Sequence, residues 1–258
     1  MSLPAILAAA RPTETGLIAT IPDNWMQGRT SYGGLSAALA LEAARGLADD
    51  LPPLRSAQVS FVGPLAGEVS VTARMLRRGR NASWVSAEVT SAAGVGLVAT
   101  FVFMGPVESS LHLNDVPMPA GYTPVDDALP LPAGVGPGFI DNFDRRFGLP
   151  RDKQRGGEIC WWLRVKDRSG IDPMVGTMMV ADGLPPGVLF LLGGRAAVSS
   201  MTWIVNLLTP EPASPDGWYL LRAAGNYAEN GCSSQDMALW DSTGRPIAAG
   251  MQAIALFG

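Results

Sequence analysis

Residues able to do chemistry are scarce in this 258-residue chain, and the scarcity removes most mechanisms. His112 is the only histidine. A zinc site built from several histidines is therefore ruled out, and a Ser-His-Asp triad would depend on that one residue. His112 sits in ESSLHLNDVPMPAG, a polar, proline-containing stretch that reads as linker, and the nucleophile pattern G-x-S-x-G is absent. Cys160 and Cys232 are far apart without metal-ligand spacing and read as two free buried thiols. The glycine-rich pieces at 93–98 and 132–138 lack the strand, spacing and helix of a nucleotide-binding loop and read as turns.

Charge narrows the classes further. With 19 basic and 23 acidic residues the net charge is −4, and no basic block exceeds Arg77-Arg78 with Arg80. A nucleic-acid binder would show a concentrated positive face, so none is expected as a partner. At 47% hydrophobic the chain is too apolar for disorder, yet no run reaches the length of a membrane-spanning helix. The opening MSLPAILAAARPTETG has no positive segment before its short apolar run, so a cytoplasmic protein without a signal peptide is expected.

The elements that must position any site repeat. Gly33-Gly34 opens LSAALALEAARGLADD, whose small and apolar residues suit a buried helix. Strand-like runs follow: SAQVSFVGPL, EVSVTARMLRRG, SWVSAEVTS and LVATFVFMG. The stretch from about 104 to 138 is rich in Pro and Gly with no apolar period. The second half opens with the strand GEICWWLRVK, continues with a helical segment around PMVGTMMVADGL, and ends in four further strand-like runs. Phe61-Val62-Gly63-Pro64 matches Leu207-Leu208-Thr209-Pro210 at an offset of 146, and Leu97-Val98-Ala99-Thr100 matches Ala249-Gly250-Met251-Gln252 at 152. An insertion of six residues near SPDGW accounts for the change. Helix then antiparallel meander, twice, is an internal duplication. It predicts an α+β double hot-dog: two tandem units, each a long helix wrapped by a bent antiparallel sheet. The units span 1–105 and 139–258, joined by a linker over 106–138, and share one sheet so that edge strands are hidden.

Certain stretches resemble the acyl-CoA thioesterase II family, the double hot-dog thioesterases. They are Trp25-Met26-Gln27-Gly28-Arg29 with Tyr32-Gly33-Gly34, Val59 to Leu65, and Arg78-Gly79-Arg80-Asn81-Ala82-Ser83. In the second half they are Ala181-Asp182, Ser200 before Trp203-Ile204-Val205-Asn206, and Gly244 to Gln252. The likeness spans about 20–256 and lies in the order and spacing of the motifs. It implies a hydrolase acting on acyl-CoA, with no cofactor and no metal, whose catalytic set falls on Asp182, Ser200 and Gln252. The hydroxyl is more usually Thr in the family, and Ser199 and Thr202 are neighbours that could supply it instead.

The implied chemistry suits these residue types. A buried carboxylate can hold and deprotonate a water, while an amide and a hydroxyl fix its position. Backbone N–H groups at the start of the second-half helix are expected to form the oxyanion hole. Gly33 and Gly34 permit close backbone approach to substrate or serve tight packing alone; Arg78 and Arg80 meet the phosphates of coenzyme A or form a solvated loop. Asp182 could instead cap a helix restarting at Gly183, and Gln252 could be an ordinary polar face residue. Glu42 is a rival acid, although offset 146 aligns Asp182 with Ser36 and leaves Glu42 more than a turn away. A non-catalytic acyl-CoA binding protein of the same fold is the alternative function. A hydratase of this fold would need an Asp-His pair, which His112 in the linker is badly placed to give. Whether the chain forms a homo-oligomer stays open, since one double unit already supplies the two-unit sheet.

Overall fold

Strand alternation in this chain produces one large sheet. The computed structural model describes residues 1–192 and 196–257. The first half runs α1 (Leu3–Ala9), β1 (Arg11–Thr13), β2 (Gly16–Ile21), the small pair β3 (Met26–Gln27) and β4 (Thr30–Ser31), and α2 (Gly33–Arg45). Then come β5 (Leu54–Phe61), β6 (Gly67–Arg78), β7 (Ala82–Ser91) and β8 (Gly94–Met104). The second half runs β9 (Phe143–Phe147), β10 (Glu158–Val165), α3 (Pro173–Ala181), β11 (Ala197–Leu207), β12 (Tyr219–Glu229), β13 (Cys232–Asp241) and β14 (Pro246–Phe257). In β7, Ser83, Val85, Ala87 and Val89 are buried and their neighbours are not, the period of two that a half-buried strand requires.

Twelve strands form the continuous sheet. From its centre they run β5, β8, β7, β6, β2, β1 one way and β11, β14, β13, β12, β10, β9 the other. Each half therefore has the same order, as a hot-dog duplication demands. At the centre Gln58 pairs with Ile204, its own equivalent at offset 146, so a local two-fold axis passes between them.

The same axis corrects two alignments made from sequence. Gln252 pairs with Trp203, and Phe101 pairs with Ala57, the equivalent of Trp203. Gln252 thus corresponds to Phe101, at 151, and not to Thr100 at 152. The helices start after the caps Tyr32 and Asp172, an offset of 140, which aligns Asp182 with Glu42 and not with Ser36. Six extra residues separate helix from central strand in the second half, and an alignment anchored on the strands misplaces the helices by that amount.

α2 is buried around nearly its whole circumference: Leu35, Leu39 and Leu41 fill space, and Ala37, Ala38, Ala40 and Ala44 let the sheet close around it. Each buried leucine contributes about 1.5–3 kcal/mol relative to an exposed one. The 106–138 segment carries no helix and only one bridge, Pro130 to Arg146, yet it is no loose tether. It straps the outer face of the second-half sheet, where buried Trp162 and Trp240 donate their indole N–H groups to the Thr123 and Val116 carbonyls at 2.8 Å each. Indole N–H groups buried this way need acceptors, and the strap supplies them.

Splitting the chain at this strap exposes the β5 and β11 edges together with the apolar faces where α2 and α3 meet. Residues 1–120 and 130–258 expressed separately are expected to be insoluble or molten. Two soluble fragments that each melt cooperatively would contradict the shared sheet as the source of stability.

Candidate active site

The site is assembled by two antiparallel helices. Asp172 caps α3 by accepting from the Met174 and Val175 N–H groups at 2.9 and 3.4 Å, with Pro173 in the first turn where no N–H is missed. Arg45, in the last turn of α2, reaches Asp172 at 2.8 Å. That pair fixes the end of α2 beside the start of α3, so the start of α2 lies beside the end of α3. There Tyr32 donates its hydroxyl to the Met179 carbonyl, and Gly34 lies so close to that carbonyl that no side chain fits. Asp182, the C-cap of α3, therefore faces the first turn of α2. A helix N-terminus favours an anion by its dipole.

From the sheet side, Gln252 of β14 donates Nε2–H to Asp182 Oδ1 at 2.9 Å. Gln235 of β13, the strand neighbour of Gln252, donates Nε2–H to Gln252 Oε1 at 2.9 Å, and Gly187 N–H donates to Gln235 Oε1 at 2.9 Å. Asp182 keeps partial access to solvent, but burial of its carboxyl pushes the pKa up to about 7, against the lowering effects of Gln252 and the Gly34 N–H. Burial, and then the negative charge of Asp182, raise Tyr32 well above the ordinary phenol range, so Tyr32 stays neutral. A carboxylate that titrates near neutrality can take a proton from water at physiological pH.

The residues singled out from sequence scatter unequally. Asp182 and Gln252 meet, and Gly33 and Gly34 meet Asp182: a side chain on Gly33 would come within 2.6 Å of Oδ2. Asp182 does not start a helix at Gly183; it ends α3, and the next 3-10 turn, Gly187–Leu191, is capped by Pro186. Since Asp182 is at the C-terminal end of α3, the helix N-terminus beside it belongs to α2, and the second-half helix start lies at the far end. Ser200 pairs with fully buried Ile254, which places it on the same sheet face as Gln252. A bulge between Ser200 and Thr202 sets this phase, leaving Thr202 exposed; Ser199 is exposed as well. Among the described residues no hydrogen bond joins Ser200 to Asp182 or Gln252.

Arg78 and Arg80 are not brought to Asp182. Arg78 is paired with Asp50, just past the C-terminal end of α2, and Arg80 is exposed in the β6–β7 turn. Glu42 also lies toward that end, where burial raises its pKa and Arg45 lowers it. His112 is exposed in the strap. Cys160 is buried, its thiol pushed up to about 12, whereas Cys232 is exposed and corrects the expectation of two buried thiols.

Gln235 and Ser233 escaped the sequence reading. Both lie on β13 in phase with inward-facing Met237 and Leu239, and a glutamine in an apolar inward register was the available signal. Ser233 pairs with Ile254 and its buried Oγ has no partner among the described residues. Beside Gly187, an open cleft of about 420 Å³ lies between β10 and the 3-10 turn, lined by Ile159, Trp161 and the exposed Phe190 and Leu191 and also by the polar Gln154, Arg155 and Glu158. Its equivalent across the axis, about 370 Å³, lies between β2 and the end of α2 and touches Glu42. The two halves differ in the inward-facing residues of the equivalent strands. The equivalents of Gln252 and Gln235 are Phe101 and its strand partner Val85, both fully buried and apolar.

Comparison with known proteins agrees with this fold. A family model of the acyl-CoA thioesterase N-terminal domain matches residues 21–104, and one of the acyl-CoA thioesterase C-terminal domain matches residues 119–256. No functionally curated protein matches the chain by sequence. Among solved structures, a hot dog fold protein of unknown function from Alicyclobacillus acidocaldarius is similar at a TM-score of 0.85 and 19% identity, covering 98% of this chain and 97% of that one. The acyl-CoA thioesterase II TesB2 from Mycobacterium marinum is similar at a TM-score of 0.79 and 18% identity, covering 100% and 99%. The dehydratase domain of PpsC from Mycobacterium tuberculosis, in complex with C12:1-CoA, is more distant at a TM-score of 0.54 and 14% identity, covering 96% and 97%. At these identities the structural likenesses speak for the fold alone; the two domain matches, in order and spanning most of the sequence, show that this chain belongs to the acyl-CoA thioesterase II-like family.

Proposed function

We propose that the protein hydrolyses an acyl-CoA to the free carboxylic acid and coenzyme A, with Asp182 as the base that activates water. The observation that carries this reading is the Asp182–Gln252 contact at the start of α2, around a carboxyl whose pKa burial pushes up to about 7. Water held by Asp182, with Gln252 and Ser200 fixing its position, attacks the acyl carbon while Asp182 takes its proton. The carbonyl electron pair moves onto oxygen, and the N–H groups of the first turn of α2 other than that of Gly34, which Asp182 accepts, have no acceptor within the helix and stabilise that charge. Collapse of the tetrahedral intermediate breaks the C–S bond, and the departing thiolate recovers the proton. The cavity beside Gly187 offers apolar walls for the acyl chain. A dehydratase reading fares worse, because the lone histidine is exposed in the strap and among the described residues makes no hydrogen bond to Asp182.

Purified protein is expected to release free thiol from at least one member of an acyl-CoA series of graded chain length. The rate is expected to be unchanged by a chelator, since the proposed steps use only side chains and backbone. Saturable binding of every member without thiol release would leave a binding protein in place of an enzyme. Loss of activity in chelator, restored by a divalent ion, would remove the proposed base.

A further inference from the structure

We infer that Gln235 is a positioning residue: with the Gly187 N–H it locks the amide of Gln252 so that Gln252 can only donate to Asp182. A backbone N–H can only donate, so Gln235 must present Oε1 to Gly187 and Nε2 to Gln252. Gln252 must then accept on Oε1, which leaves Nε2 for Asp182. A reversed Gln252 would set its NH2 against that of Gln235 and its carbonyl against the carboxylate, two buried mismatches at once. Gln235 is fully buried, with no solvent to relieve either. Gly187 can sit there because it lacks a side chain; a Cβ would meet the Gly157 and Ala223 carbonyl oxygens at 2.2 and 2.9 Å.

The duplication supplies an independent observation. The half that lacks the counterpart of Gln252 also lacks that of Gln235, the positions being Phe101 and Val85, so the two amides are present or absent together. The lock favours ionised Asp182, because a donated N–H stabilises the carboxylate and does nothing for the acid. Groups facing Asp182 are the Tyr32 hydroxyl and Gly34 N–H from the start of α2, with Gln252 from the sheet. Among the described residues no ion pair involves Asp182, so the relay acts, with the Gly34 N–H, on a charge that meets no cation.

As a statement about catalysis this rests on Asp182 being the base, but its first test does not. Carbon-13 NMR titration of the Asp182 carboxyl in the parent and in Gln235→Met should show the pKa moving upward in the variant, whether or not any thioester is cleaved. If the parent is active, Gln235→Met should lower kcat about tenfold, through loss of positioning, and move the acid limb of the pH profile upward. In a Gln252→Ala background the same substitution should do nothing further, because its only route is removed. Should Gln235→Met fail to fold, Gln235→Glu keeps an acceptor for Gly187 and cannot donate when ionised, so it should reverse Gln252 and give the same upward shift. A folded variant with the parental titration, or a loss that adds in full to that of Gln252→Ala, would overturn the relay. A parent that titrates as described yet releases no thiol would overturn the enzyme reading and leave the relay standing.

Discussion

Asp182→Asn is expected to slow thiol release from acyl-CoA by about 10²–10⁴, or roughly 3–5 kcal/mol of barrier. The substitution keeps the size of the side chain and removes both the charge and the base. Gln252→Ala, which removes a neutral positioning contact, should cost less. The pH dependence identifies the group independently. With a folded pKa of about 7, the parent should lose activity in proportion to proton concentration below neutrality, and the residual rate of the Asn variant should lack that limb. The sign of the stability change follows by linkage. The folded pKa lies above the ordinary value near 4, so the folded state binds the proton more tightly than the unfolded chain, and this group erodes stability as pH rises from about 4 through 7. Asn cannot ionise. The melting temperature of Asp182→Asn minus that of the parent should therefore climb across that window, on top of a constant penalty from replacing one of the two acceptor oxygens that serve the donors Gln252 Nε2 and Gly34 N–H with an NH2. A variant that melts like the parent at every pH and hydrolyses within about threefold of it would make Asp182 a structural cap.

The architecture was legible because its signals are local. Alternation in SWVSAEVTS and the small-residue helix after Gly33-Gly34 are written in consecutive residues, and the meander order followed from them. The equivalence of the halves was less legible, since bulges and insertions shift register without leaving a mark on composition. That is why an offset taken from the strands puts Glu42, the true counterpart of Asp182, more than a turn away. Gln235 was overlooked for a related reason. In CSSQDMALWDS it is one polar residue among several, and only its phase with Met237 and Leu239 shows that it points inward. The family likeness points to Asp182 and Gln252, whereas the partner of Arg78, Asp50, is 28 residues away in sequence and no local pattern announces that pair.

The glycines at the start of α2 carry the second large effect. A Cβ on Gly34 would overlap the Met179 carbonyl and the Tyr32 ring, and the carbonyl is backbone that cannot turn aside. Gly34→Ala must therefore push α2 away from α3, costing about 1–3 kcal/mol as overpacking does. It also carries the Gly34 N–H away from Asp182, and displacement of about 1 Å at a reacting group can cost around 10² in rate. Gly33→Ala differs in kind: its Cβ would lie 2.6 Å from Asp182 Oδ2 and 2.8 Å from Phe61 Cε1, both ends of side chains. Those can yield, so Gly33→Ala should lose activity by swinging the carboxylate while melting closer to the parent. Gly46 at the other end of α2 is the control, because a Cβ there meets nothing nearer than 3.5 Å in right-handed helical backbone. Gly46→Ala should leave activity unchanged and stabilise slightly, by about 0.4–1 kcal/mol, through a less flexible unfolded chain. Melting curves and thiol-release rates for the three variants separate packing from chemistry. If Gly33→Ala and Gly34→Ala both kept the parental rate, the start of α2 would be a packing device and the reacting carboxylate would have to be sought elsewhere, with Glu42 first in line.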